Sequence, residues 1–136
     1  MFKTLTIAAA ASMLAMPLFA ENHGMGVMAS DQSVANGVVS ADAVTAPENG
    51  WLVVHRTGDD MKPGPVVGYA PLRAGENTDV AAILTEEVAP GEKLMLMIHS
   101  EAGGMLTGAF EYTLGATEDG PIKPEGNLVM TVITAQ

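Results

Sequence analysis

Three histidines, ten methionines and no cysteine set the side-chain chemistry open to this chain of 136 residues. His23 stands out by its place in a processed chain. A cut after Ala20 leaves Glu21-Asn22-His23 as a free amino terminus, whose α-amine, two deprotonated amides and imidazole supply four nitrogens in a plane. That donor set suits Cu(II) or Ni(II). Met25 and Met28 follow closely and offer thioether sulfur to Cu(I). The plain alternative is a solvated arm with one stray histidine.

A second group is Met95, Met97 and His99, at i, i+2 and i+4 and so on one face of a strand. Two soft sulfurs beside an imidazole suit Cu(I). Same-face neighbours on a strand are about 7 Å apart, however, so a regular strand does not bring all three to one ion, and packing is the competing role. His55 and His99 both end apolar runs. If their strands are antiparallel neighbours, the two histidines fall at opposite ends, and separate roles are expected. Asp59, Asp60, Glu118 and Asp119 are loop carboxylates able to gather a cation, although such residues commonly serve as solvated turn formers. Ser30, Ser33, Ser40 and Ser100 lie in no nucleophile-elbow sequence, and there is no glycine-rich phosphate loop. Catalysis is therefore not expected.

The elements that must position these residues begin after residue 20. Lys3, the apolar run Leu5 to Leu18 and the small Ala20 make a secretory signal peptide, a helical targeting segment rather than part of the fold. The run is shorter than the roughly 20 apolar residues of a spanning helix, so no stable membrane insertion is expected after cleavage. The address is periplasmic or secreted. Processing leaves 116 residues, one domain's worth, with five basic against 16 acidic side chains and a formal charge of −11. Nucleic acid is a poor partner for such a chain, because phosphate contacts need clustered Lys and Arg. With no cysteine, disulfides, thiolate catalysis, zinc-thiolate sites and blue-copper centres are all excluded. Burial alone must hold the domain.

The polar residues 21–26 form an N-terminal arm ahead of a domain over residues 27–136. Strands are expected at Val27 to Ser33 and Gly37 to Thr45, joined through an Asn36-Gly37 turn. Gly50-Trp51-Leu52-Val53-Val54-His55-Arg56 follows, apolar on both faces and so central. Val66 to Ala70 is a short strand whose flanking prolines suggest an edge. Thr78 to Leu84 turns Val80, Ala82 and Leu84 inward, and Ala89-Pro90-Gly91-Glu92 reads as a type II turn. It launches Lys93-Leu94-Met95-Leu96-Met97-Ile98-His99, the second stretch apolar on both faces. Ala109 to Tyr112 is a short strand candidate in an irregular excursion, and Asn127 to Thr134 ends the chain. About seven short strands with turn signals between them predict an antiparallel immunoglobulin-like β-sandwich, with a closed barrel as runner-up.

Gly50 to His55, Gly64-Pro65-Val66-Val67-Gly68, Leu72 to Val80, Leu94 to His99 and Asp119-Gly120-Pro121 together resemble a family of exported domains of unknown function found in bacteria and haloarchaea. The resemblance covers most of the processed chain and implies a sandwich and export, with no assigned active site. Members of that family often run from the second histidine into Asp- and Asn-rich loop residues, where this chain has Ser100-Glu101-Ala102-Gly103-Gly104.

The expected role is an exported, non-catalytic module of the cell envelope, structural or engaged with an envelope protein or glycan, and carrying no cofactor. The alternative is a copper- or nickel-binding periplasmic protein using Glu21, Asn22 and His23, assisted by Met25, Met28, Met95, Met97 and His99. Mass spectrometry of protein exported by its own host should find Glu21 at the amino terminus, and Cu(II) binding to that terminus should vanish in His23→Ala. A different first residue, or binding unchanged by the substitution, would remove the amino-terminal site.

Overall fold

A computed structural model describes residues 24–136. Seven strands make the fold: β1 (Gly26–Met28), β2 (Val38–Ala46), β3 (Gly50–Thr57), β4 (Val66–Leu72), β5 (Gly75–Leu84), β6 (Lys93–Ser100) and β7 (Met130–Thr134). The only helical element among the described residues is a single 3-10 turn, Pro124–Gly126. None of them forms a helix long and apolar enough to cross a membrane.

The all-β antiparallel architecture of seven short strands is as the sequence predicts. The strands join into one ladder ordered β1-β2-β5-β4-β3-β6-β7. β4 and β5 meet over only two register pairs, Gly68↔Leu84 and Tyr69↔Ile83, a narrow join in the ladder. The two ends then approach each other. Gln32 bridges Ala135, the Gln136 amide donates to the Gln32 carbonyl at 2.9 Å, and the Thr134 amide donates to Asp31 Oδ1 at 2.8 Å. The sheet is thus nearly closed.

Turn chemistry sets these strands as expected. Gly37, at φ +78°, closes the turn before β2 by donating to the Val34 carbonyl at 2.9 Å. Gly91, at φ +91°, takes the left-handed position of the Ala89–Glu92 turn, as a type II turn requires. Val80 and Ala82 face inward as predicted, and the partly buried Leu84 packs against the same core.

Strand bounds and one strand's place differ from the sequence reading. β1 is only three residues long, and Ala109–Tyr112 is irregular rather than a strand. β4 is flanked by β3 and β5 instead of lying at an edge. Pro71 is tolerated there because it pairs with Trp51 and lies beyond the short β4–β5 ladder, where no neighbour asks for its missing N–H.

The core lies inside the curl, where Leu52 and Val54 of β3 and Leu94, Leu96 and Ile98 of β6 meet Val39, Ala41 and Val44 of β2 and Ile133 of β7. β3 and β6 are buried on their other face too. Trp51, Val53 and His55, with Met95, Met97 and His99, form a second buried layer under the segment between β6 and β7. A strand whose two faces are both covered cannot alternate with polar residues, which is why these two stretches read as continuous apolar runs.

Leu96→Ala and Met97→Ala, one on each face of β6, should each destabilise the domain by about 2–5 kcal/mol in urea unfolding. A cost below about 1 kcal/mol for Met97→Ala would mean that the second face is open.

Candidate functional site

The second buried face is built on the antiparallel β3–β6 register, which sets Trp51 opposite His99, Val53 opposite Met97 and His55 opposite Met95. Two close backbone approaches require glycine there. A Cβ on Gly50 would lie 2.2 Å from the His99 carbonyl oxygen, and one on Gly64 would lie 2.7 Å from that of Arg56. The β3–β4 register slips between Val54 and His55, leaving Val67 as an extra residue beside His55.

His55 and His99 are fully buried and converge. Their Nε2 atoms are 3.2 Å apart, with ring centroids 5.3 Å apart. The expectation that antiparallel strands would separate them is therefore corrected. The Cα positions are indeed four register steps apart, but both rings lie on one face and lean toward each other across the step that Val53 and Met97 occupy.

Each ring is fixed by its other nitrogen. Nδ1 of His55 is 2.7 Å from the Gly64 carbonyl oxygen, and Nδ1 of His99 is 2.7 Å from that of Asp119. A carbonyl only accepts, so each Nδ1 carries the proton and each Nε2 faces the other with a lone pair. Two neutral rings hold two N–H protons, while the three contacts need three. Burial pushes both imidazoles below their ordinary pKa, His99 to about 4, with the neighbouring His55 adding to the effect on His99.

All four Phe, Trp and Tyr side chains among the described residues gather at this face. Tyr112 meets His99 edge-on at 4.5 Å and His55 at 5.9 Å, whereas Phe110 stacks on Tyr69 at 4.4 Å and meets Trp51 edge-on at 5.5 Å. Trp51 donates its indole N–H to Glu101 at 2.8 Å. Beside them opens a groove of about 880 Å³, walled by Trp51, Tyr69, Leu72, Phe110 and residues 107–109, with Arg73 and Glu101 among its polar residues.

The covering segment is held by two carboxylates. Buried Asp119 accepts the Ala102 amide at 3.0 Å and the Glu111 amide at 2.9 Å while its own carbonyl takes the His99 ring N–H. Glu111 in turn accepts the Met105 and Leu106 amides at 3.2 and 3.1 Å. The segment is also stitched to β6, where Ser100 donates to Gly120 and Ile122 to Ile98. Sequence reading took Asp119 for a turn carboxylate. Its role depends on amides 8 and 17 residues away, contacts that no local spacing encodes.

The other sequence candidates are divided between this face and the rest of the chain. Glu21, Asn22 and His23 fall outside the described residues. Met25 and Met28 are exposed at β1, whereas Met95 and Met97 are buried beside His99 as the predicted triplet on one face. Asp59 forms an ion pair with Lys93 at 2.5 Å. Among the described residues no three His, Asp or Glu side chains converge as a metal cage.

A pH dependence follows from the buried pair. Between about pH 4 and 6.5 the unfolded chain holds more histidine protons than the folded one, so stability rises with pH across that window. Metal-free protein should keep the full contribution above about pH 6.5 and lose it progressively as the pH falls toward 4. Urea unfolding from pH 7 to 5 checks this. The loss should be smaller in His99→Gln, and stability that is flat or rising on acidification would contradict the assignment.

No curated protein and no solved structure matches the chain. The profile of a domain of unknown function, DUF7282, matches residues 25–136, which take in every strand and the whole of this site. The chain therefore belongs to the DUF7282 family of domains of unknown function.

Proposed function

We propose that this protein is an exported, non-catalytic interaction module of the cell envelope that grips a protein partner at the aromatic groove. The observation that carries the reading is the apolar surface around that groove. Tyr69 is 42% exposed although stacked on Phe110, and its cross-strand neighbour Ile83 is exposed as well. Met105 is 95% and Leu106 62% exposed, just before the groove-lining Thr107. Exposed large side chains gathered at a concave site favour a partner, and flexible methionine suits protein surfaces more than sugar rings. The rigid platform beneath them comes from the buried Trp51 and from Asp119, which holds the covering segment in place. Export is supported by the N-terminal segment, and the charge of −11 after processing favours a partner segment rich in Lys or Arg.

The test is site-specific photo-crosslinking in the native envelope. A crosslinking side chain in place of Tyr69 or Met105 should trap one protein, and one in place of Met28 on β1 should not. Tyr69→Ala should weaken the purified complex by at least about tenfold, and added salt should weaken it further. Equal crosslinking from all three positions, or binding to envelope glycan alone, would overturn the reading.

A further inference from the structure

The buried histidine pair lacks one positive charge, and the groove reading gives it no task. We propose that the Nε2 atoms of His55 and His99 form an occluded site for a soft monovalent cation of the Cu(I) class.

The argument begins with proton counting. Both Nδ1 atoms must donate, because each lies 2.7 Å from a backbone carbonyl oxygen that only accepts. Two lone pairs are then left facing each other at 3.2 Å. One cation between them removes the conflict, and the arrangement already has the form of a ligand pair. Metal-bound histidines characteristically donate the second ring N–H to a carbonyl or carboxylate, which orients the ring and raises its basicity. Two metal–nitrogen bonds of about 2.0–2.1 Å closing on such a separation subtend about 100°, within reach of three- or four-coordinate geometry.

The surroundings choose the charge and the softness. Among the described residues no cage of carboxylates joins the pair. The Asp119 side chain is turned to backbone amides, and the Tyr112 hydroxyl accepts the Gly115 amide at 3.3 Å. A divalent ion would bring two positive charges to a pair that no carboxylate is directed at, whereas a monovalent ion brings the one that is missing. Met95 and Met97 are buried on the same strand face as the pair, Met95 opposite His55 in the register, and soft sulfur with imidazole selects Cu(I). A proton is the rival occupant. The complete burial of both rings opposes it.

The experiment uses the processed, metal-free chain at pH 7 with Ag(I) as probe. Calorimetric titration should show one Ag(I) per chain. His55→Gln and His99→Gln should each weaken binding by at least about tenfold, and His23→Ala should leave it unchanged. Because both substitutions fall on fully buried residues, wild-type protein crystallised with Ag(I) supplies a second readout that does not depend on variant folding, an anomalous peak between the two Nε2 atoms. Absence of that peak, binding that depends on His23, or binding that survives the His55→Gln/His99→Gln double substitution would overturn the proposal.

Discussion

The pairing of β3 with β6 is the constraint on which the rest depends. It runs without a break from Gly50↔Ser100 to Thr57↔Lys93 and is buried on both faces. Inward it supplies Leu52, Val54, Leu94, Leu96 and Ile98 to the core of a domain that has no disulfide to fall back on. Outward it carries Trp51, His55, Met95, Met97 and His99, and a sheet face so apolar must be covered. The segment between β6 and β7 meets that demand.

That segment shows how polar groups are kept satisfied where regular structure ends. It has no ladder of its own, so its amides turn to Asp119, Glu111 and the edge of β6. Among the described residues no buried side-chain nitrogen or oxygen lacks a partner. For the two histidines this satisfaction is met geometrically by setting Nε2 against Nε2, and the proton count shows that a neutral pair cannot meet it chemically. Hydrogen bonding and burial thus pull in opposite directions at one point. The first asks for a positive charge, and the second resists a bare proton.

Much of the scaffold was legible in the sequence because it rests on local rules. Runs apolar on both faces marked β3 and β6 as central, and Asn36-Gly37 and Pro90-Gly91 marked turns that the backbone confirms. The edge position given to β4 failed because a proline excludes only the hydrogen bond at its own position, and the β4–β5 ladder ends before Pro71. The candidate site was less legible. Register arithmetic placed His55 and His99 apart, since Cα steps along a strand ignore how far two side chains on one face can lean along a twisted diagonal. The covering segment has no periodicity to read, and Asp119 acts through long-range contacts. Phe110 and Tyr112 looked like strand residues, and their place over the histidines follows only once the segment folds back.

The central claim is that two neutral, buried imidazoles face each other through bare Nε2 atoms. Long-range ¹⁵N–¹H correlation spectra of metal-free protein at pH 7 test it directly. Both His55 and His99 should show protonated Nδ1 and unprotonated Nε2. A proton on either Nε2, or one ring in the fully charged form, would contradict the account.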